Sequence, residues 1–274
     1  MDKFNKICKD IKNIKVQGAE NIAKNALIAY SLKPNRESIN KLIKLRSTEP
    51  LLFNILNYAQ KYNIKEAFEL LKRNEKKIIY YGAKIIKNNS IIFTHCHSST
   101  VINILKEAKR QGKNFEVYNT ETRPLFQGRK TSLELNKLKI KVANVIDSAA
   151  NLAIKKCNLM LIGSDAILKN GNVINKIGSG LFSEIAYNHK KPVYIASNSL
   201  KYSNKNIKIE ERNFKEVWNN KDIKIINPAF EIVNHKYITK IISELGILNI
   251  KEFLNKVKQN YYWIKWKKFI LSFY

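Results

Sequence analysis

From residue 91 onward the chain alternates short apolar runs with amphipathic stretches, and no other feature restricts its fold as much. The runs cover residues 91–93, 115–118, 142–146, 159–162, 193–196 and 223–226. Most are separated by a helix-sized segment of roughly ten to fifteen residues, the spacing of strand–helix–strand units in a parallel sheet. This predicts a doubly wound α/β domain over residues 89–274. In such sheets the ligand crevice lies at the carboxyl ends of the strands.

Residues 1–88 follow a different pattern. Apolar positions recur there at helical spacing without strand alternation, which predicts an N-terminal helical domain. Gly18, Ala19 and Glu20 lead into a stripe of Ile22, Ala23, Ala26, Leu27 and Tyr30, and Pro34 ends that helix. Asn35 has the character of the next cap, before Ile39, Leu42, Ile43 and Leu45. Another helix opens at Pro50 with Leu51, Leu52, Ile55 and Leu56. A long helix is expected over 66–87, broken by Asn88, Asn89 and Ser90.

A chain of 274 residues with 45% hydrophobic content can bury a substantial core. No apolar run approaches the length needed to span a bilayer, and Met1-Asp2-Lys3-Phe4-Asn5-Lys6 opens on charges with no apolar region of a secretory signal behind it. Three cysteines, Cys8, Cys96 and Cys157, are an odd number that argues against a disulfide framework and for a reducing cytoplasm. The net charge of +28 favours anionic partners. Arginine is scarce, however, being limited to Arg36, Arg46, Arg73, Arg110, Arg123, Arg129 and Arg212, and the lysines are spread over the whole chain. Specific nucleic-acid readers depend on Arg for bidentate contacts, so only nonspecific polyanion binding at low salt is expected.

The residues after the apolar runs are polar: Thr94 to Ser99, Asn119 to Pro124, Asp147-Ser148, Gly163-Ser164-Asp165 and Ser197-Asn198-Ser199. Five such strand ends predict one shared polar site. In the first, Ser98, Ser99 or Thr100 is expected to cap a helix whose start favours anions and lowers the pKa of a nearby thiol. Cys96 is therefore a candidate reactive cysteine, the other reading being a small core residue at a strand end. His95 and His97 flank it, but neighbouring side chains on an extended segment point opposite ways. No CxxC or HxxxH pattern supplies further ligands, so no metal is expected and the histidines are read as packing or supporting groups.

These motifs, together with Gln127-Gly128-Arg129 and the stretch from Asn170 to Gly178, resemble one family. It comprises the alpha, beta and delta subunits of translation initiation factor 2B, methylthioribose-1-phosphate isomerase and archaeal ribose-1,5-bisphosphate isomerase. The similarity is continuous over about residues 94–202, with weaker matches over 227–231 and 241–247. It implies a Rossmann-like catalytic domain, no cofactor, and at least a homodimer formed through that domain. In the isomerases the catalytic pair is a Cys in the first motif and an Asp in the third, here Cys96 and Asp165; the regulatory subunits usually lack it.

The resemblance thus implies an aldose–ketose isomerase that converts ribose 1,5-bisphosphate to ribulose 1,5-bisphosphate in AMP and other nucleoside monophosphate degradation. The alternative is a noncatalytic initiation-factor-2B-like subunit that binds a nucleotide or sugar phosphate. Cys96 as thiolate is assigned to the C2 proton and Asp165, protonated by burial, to the ring oxygen, with a hydride shift as the competing route. Gly18, Ala19, Ser98, Ser99, Asn175 and Lys176 are the implied substrate contacts, Lys176 being a natural partner for a phosphate oxygen. Asn170-Gly171 reads as a tight turn. Arg123 is expected to orient a neighbouring subunit or the sheet end, and Asp147 to organise an interface or the pocket floor.

The helical part departs from the family pattern. Gln17-Gly18-Ala19 and Thr48-Glu49-Pro50 stand where the isomerases carry Arg-Gly-Ala and Thr-Arg-Pro, so Glu49 reverses a phosphate-binding charge. Either Arg46, Lys15 or Lys44 substitutes for it, or the pocket takes no bisphosphate. The aromatic and basic tail, residues 261–274, lies outside the resemblance. Its aromatics favour burial against a neighbouring element or subunit over an anionic membrane surface.

Overall fold

The structure, a computed structural model, describes residues 2–13, 15–16, 18–46 and 49–264. It opens with five helices, α1 (Lys3–Lys12), α2 (Ala19–Leu32), α3 (Arg36–Leu45), α4 (Pro50–Lys61) and α5 (Ile64–Ile85). Local chemistry sets their ends. Asn35 Oδ1 accepts from Ser38 N at 2.9 Å at the start of α3, and Asn63 Oδ1 accepts from Glu66 N at 2.7 Å at the start of α5. Pro50 occupies the first turn of α4, where its missing N–H leaves no bond unmade. The expected stripe of α2, Ile22, Ala23, Ala26, Leu27 and Tyr30, is buried throughout.

Strands and helices then alternate as β1 (Ser90–Thr94), α6 (Ser99–Arg110), β2 (Phe115–Thr120), α7 (Gln127–Lys137), β3 (Lys141–Val145), α8 (Ala150–Lys156) and β4 (Leu159–Ile162). The hairpin β5 (Ala166–Leu168) and β6 (Val173–Lys176) follows, then α9 (Ser179–Asn188), β7 (Val193–Ala196) and the short β8 (Tyr202–Ser203). The last elements are β9 (Phe230–Val233), β10 (Lys240–Ser243), β11 (Gly246–Leu248) and α10 (Ile250–Asn260).

The main sheet has the order β11-β10-β7-β4-β1-β2-β3, and every pair in it is parallel except β10 with β11. The chain lays β2 and β3 outward from β1, then returns to place β4 on the other side of β1. A crevice therefore opens between the carboxyl ends of β1 and β4, where the winding reverses. Alternate residues of the central strands feed two cores, as the pleat requires. Phe93, Met160, Ile162, Ile195 and Ile241 join one, and Ile92, Leu161, Ala196 and Ile242 the other.

The first core also holds Ile22, Leu27, Leu51, Ile55 and Leu71, so the N-terminal helices and the sheet are packed on shared hydrocarbon. Helix α5 contributes to both, with Leu70 and Leu71 in the first core and Ile78 and Ala83 in the second. Its Gly82 lets α6 come close: a Cβ there would lie 2.5 Å from Cγ1 of Ile104. A second sheet, ordered β8-β5-β6-β9, is built around the hairpin that turns at Asn170-Gly171.

One expectation needs amendment. Residues 223–226 form no strand; Ile223 and Ile226 are 52% and 69% exposed in an irregular segment. The sixth parallel strand is β10, whose Ile241 and Ile242 are fully buried. An apolar run without an element to pack against stays outside a sheet, whatever its β propensity. At the other end of the chain Tyr261 is buried and Trp263 lies with its ring centroid 5.3 Å from that of Tyr58, while residues 265–274 of the aromatic tail lie outside the described ones. Among the described residues no helix is long and apolar enough to cross a membrane.

Candidate functional site

The turn after β1 is held from several directions. The Cys96 N–H donates to Thr122 Oγ1 at 3.0 Å, and the Cys96 carbonyl accepts from the Thr131 hydroxyl at 2.9 Å. These bonds fix Cys96 in the left-handed region, with φ 66°. His95 is clamped between Thr120 Oγ1 at 2.5 Å and the Ile177 carbonyl at 2.8 Å. A carbonyl only accepts, so Nε2 carries the proton and Nδ1 accepts from Thr120. Burial pushes this imidazole down to about 4, which keeps it neutral. His97 Nδ1 lies 3.1 Å from Thr131 Oγ1 and donates to it, since that hydroxyl spends its own proton on Cys96. His97 thus bonds the hydroxyl that holds the Cys96 carbonyl, and both histidines border the cavity described next.

Ser98 caps α6, accepting from Val101 N at 3.4 Å. Its side chain abuts Gly163, the residue after β4, so closely that a Cβ at Gly163 would lie 2.6 Å from Ser98 Oγ. The next two residues bring in the acid. Asp165 N–H donates to the Ile174 carbonyl at 2.8 Å at the base of the hairpin, and Lys201 Nζ donates to the Ser164 carbonyl at 2.7 Å. On the other arm of the hairpin Asn175 Nδ2 donates to Ser179 Oγ at 2.8 Å, and Lys176 is buried beside it.

Cys96, Asp165, Gly18, Ala19, Ser98, Ser99, Asn175 and Lys176 all line one cavity of about 150 Å³. That space exceeds what one or two trapped waters need. Gly18, at φ 83°, starts α2 on the opposite wall. Burial raises the Asp165 carboxyl, with Lys201, Arg46 and Lys176 partly opposing it, which agrees with the role of a protonated acid. Burial also lowers the Lys176 ammonium.

The thiol behaves otherwise than expected. Burial pushes Cys96 up to about 11, against the smaller pull of the His97 N–H and Lys176. Two residues separate Cys96 from the first turn of α6, and Ser98 already serves a free N–H there, so desolvation outweighs the field of the helix. At rest Cys96 carries its proton.

Of the three cations considered as replacements at the helical wall, Arg46 lines the cavity. Lys15 is exposed and pairs with Asp10 at 3.8 Å, and Lys44 is exposed; Gln17 and Thr48 lie outside the described residues. Glu49 lines the cavity next to Arg46, their charged atoms 3.8 Å apart. Sequence reasoning overlooked Glu20, Gln127, Lys130, Lys201 and Arg212, which also line it. Gln127 sat inside a quoted motif and Lys201 follows the polar end of β7, so both had a signal. Arg212 comes from the irregular segment before β9 and had none.

The five strand ends do not all reach the cavity. Those of β1, β4 and β7 supply its wall or the groups directly behind it, as where Ser164 Oγ meets Ser197 Oγ at 2.7 Å. Those of β2 and β3 brace it from outside: Asp147 accepts from Thr122 N at 2.9 Å and Arg123 N at 2.7 Å, holding the loop that in turn holds Cys96. The Arg123 guanidinium points away, to the Val217 carbonyl at 3.3 Å.

Among the described residues no three of His, Cys, Asp and Glu converge as metal ligands would. Arg46, Lys130, Lys176, Lys201 and Arg212 outnumber Glu20, Glu49 and Asp165, so the cavity suits an anion and offers it one thiol and carboxyls that burial makes harder to ionise.

The chain is similar to known proteins over most of its length. The profile of the Initiation factor 2 subunit family matches residues 11–250. The chain is 36% identical to a ribose 1,5-bisphosphate isomerase of Methanocaldococcus jannaschii, over 90% of its own length and 92% of the relative's. It is 32% identical to a protein of the same description from Thermococcus kodakarensis, over 94% of each chain. Its fold matches a crystal structure described as Pyrococcus horikoshii translation initiation factor eIF-2B with a TM-score of 0.83 at 24% identity, covering 91% of this chain and 98% of that one.

Proposed function

The chain belongs to the Initiation factor 2 subunit family, and from that premise we propose that it is a sugar-phosphate aldose–ketose isomerase that converts ribose 1,5-bisphosphate to ribulose 1,5-bisphosphate. The observation that carries the reading is that Cys96 and Asp165, supplied by the two strands flanking the winding reversal, line one basic cavity.

A ribose with phosphate on its anomeric oxygen cannot open to an aldehyde, so C1–O4 cleavage and loss of the C2 hydrogen have to be coupled. Asp165, as the neutral acid, gives its proton to O4 as the C1–O4 bond breaks. Cys96, once its thiol proton has passed to water in the cavity, takes the proton from C2 as the thiolate, and the C2–H electrons form the C1–C2 double bond of an enol phosphate. Loss of the C2 hydroxyl proton and return of a proton to C1 complete the ketone. Lys176 lies near enough to Cys96 to favour the thiolate during this step. A thiol that rests protonated also suits the second route, in which hydride moves from C2 to C1 and a base is needed only for the C2 hydroxyl.

A place for the product in nucleoside monophosphate degradation and a homo-oligomeric enzyme in the cytoplasm complete the proposal. The alternative, a noncatalytic regulatory subunit, draws support from the buried Glu49 carboxyl in the anion cavity. Incubating the purified protein with α-ribose 1,5-bisphosphate separates the two. Turnover by the wild type and its loss in Cys96→Ser and Asp165→Asn is the expected result; nucleotide binding without turnover would favour the regulatory reading.

A further inference from the structure

The helical wall of the cavity carries two charged side chains whose bonding is incomplete. Glu49 is 4% exposed, and its Oε2 has no hydrogen-bond partner among the described residues. Although Glu49 stands at the cap position of α4, its side chain makes no capping bond. Arg46 approaches Glu49 and Glu210 at 3.8 Å each, too far for hydrogen bonds, and its Nε is likewise unpartnered among the described residues. Buried polar atoms left open in this way carry a cost that a ligand can relieve.

What sits against this pair decides what it takes. Arg46 comes from the end of α3, Asp165 follows β4, Lys201 ends the short turn after β7, and Glu210 and Arg212 lie on the segment before β9. With Asp165 holding the proton that it gives to O4, an anion on Arg46 would still meet the carboxyls of Glu49 and Glu210 if both were ionised. Its binding is therefore favoured only with a proton on one of them. Glu49 is the candidate, because it is the buried carboxyl beside Arg46 with an oxygen still free to bond.

We propose that Glu49 enters the complex protonated and donates a hydrogen bond to a phosphate oxygen of a ligand held by Arg46, so that it is a specificity-determining residue of a proton-linked anion subsite. This rests on the cavity being a sugar-phosphate site, and it answers how a carboxyl can occupy a phosphate-binding wall. Burial pushes the Glu49 carboxyl up to about 8, with Arg46 and Lys201 opposing. At neutral pH the group is thus mostly the donor that the subsite needs.

Calorimetric titration of ribose 1,5-bisphosphate into full-length Cys96→Ser protein tests this without interference from turnover. The titration is run at about pH 7 and about pH 9, each in two buffers of different ionisation enthalpy, and compared with Cys96→Ser/Glu49→Gln. With Glu49 present, affinity should fall about tenfold between the two pH values, with proton uptake at the higher one. In the Glu49→Gln protein, which has no titrating group at this position, the fall and the uptake should both be absent. Equal pH dependence in both proteins, no proton uptake at about pH 9, or bisphosphate binding no tighter than ribose 5-phosphate would each overturn the proposal. The uptake measurement needs no change at position 49, so a poorly folding variant does not remove the test. Absence of isomerisation by the wild type together with proton-linked binding would sink the proposed activity and leave this inference standing.

Discussion

Gly163 and Ser98 meet so closely that a single methyl on the glycine would stand 2.6 Å from the serine hydroxyl oxygen. This contact joins the end of β4 to the start of α6, and with it the loop of Asp165 to the loop of Cys96. Gly163→Ala should therefore separate the two loops. Overpacking of this kind costs about 1–3 kcal/mol, visible as a lowered melting temperature, and turnover should fall by about tenfold or more, since small misplacements in a site are amplified in rate. Wild-type turnover in a folded Gly163→Ala protein would show that the contact does not set the site.

The Cys96 thiol, pushed up to about 11 from its usual 9.0, should react slowly with iodoacetamide in the ligand-free protein. At neutral pH its thiolate fraction is about a hundredfold below that of an unperturbed cysteine. Alkylation followed by peptide mapping should give a rate that keeps rising with pH above about 9. A plateau near neutrality would mean a resting thiolate.

The two routes for the C2 hydrogen differ in where a label goes. Substrate deuterated at C2 should lose label to water if Cys96 carries the proton away, and should keep it at C1 if hydride shifts directly. Mass spectrometry of the ketose product reads the outcome, and retention would remove Cys96 from C2.

His95 makes the fold sensitive to acid. Its imidazole is held down to about 4 from 6.5 by burial, so below the unfolded value the unfolded chain binds a proton that the folded chain refuses. Stability should fall as pH drops from about 6.5 to about 4, by about 3 kcal/mol from this group. Denaturant titrations over this range should show a shallower loss for a folded His95→Gln protein; equal slopes would clear His95 of the effect.

Helices α8 and α9 pack side by side and leave Leu152, Leu181 and Tyr187 more than half exposed. Such side chains suit a contact between copies of the chain. Sedimentation should give at least a dimer, and Leu152→Glu with Leu181→Glu should shift it toward monomer. A wild-type monomer at micromolar concentration would argue against pairing through this face.

Much of the architecture could be read from local signals. Asn35 as a cap, Pro50 at a helix start and the spacing of the runs at 91–93, 115–118 and 159–162 are effects confined to a few neighbouring residues, and each reappears in the structure. The approach of Cys96 to Asp165 was legible because sheet topology places the ends of neighbouring parallel strands together. What failed was non-local. Nothing inside residues 223–226 says whether an element lies above them, and nothing near Arg212 says that it will fold back onto the cavity of Lys176. The thiol pKa was misjudged for the same reason: the helix start is written in Ser98 and Ser99, but the degree of desolvation depends on walls from distant parts of the chain.

The position of α5 has a mechanical consequence. Because one helix is seated in both hydrocarbon cores, the wall that bears Arg46 and Glu49 cannot swing off the sheet as a rigid lid without tearing apart packing on each side. A ligand thus meets a gap whose width is already set by the scaffold, and the distance between its two ends has to match it.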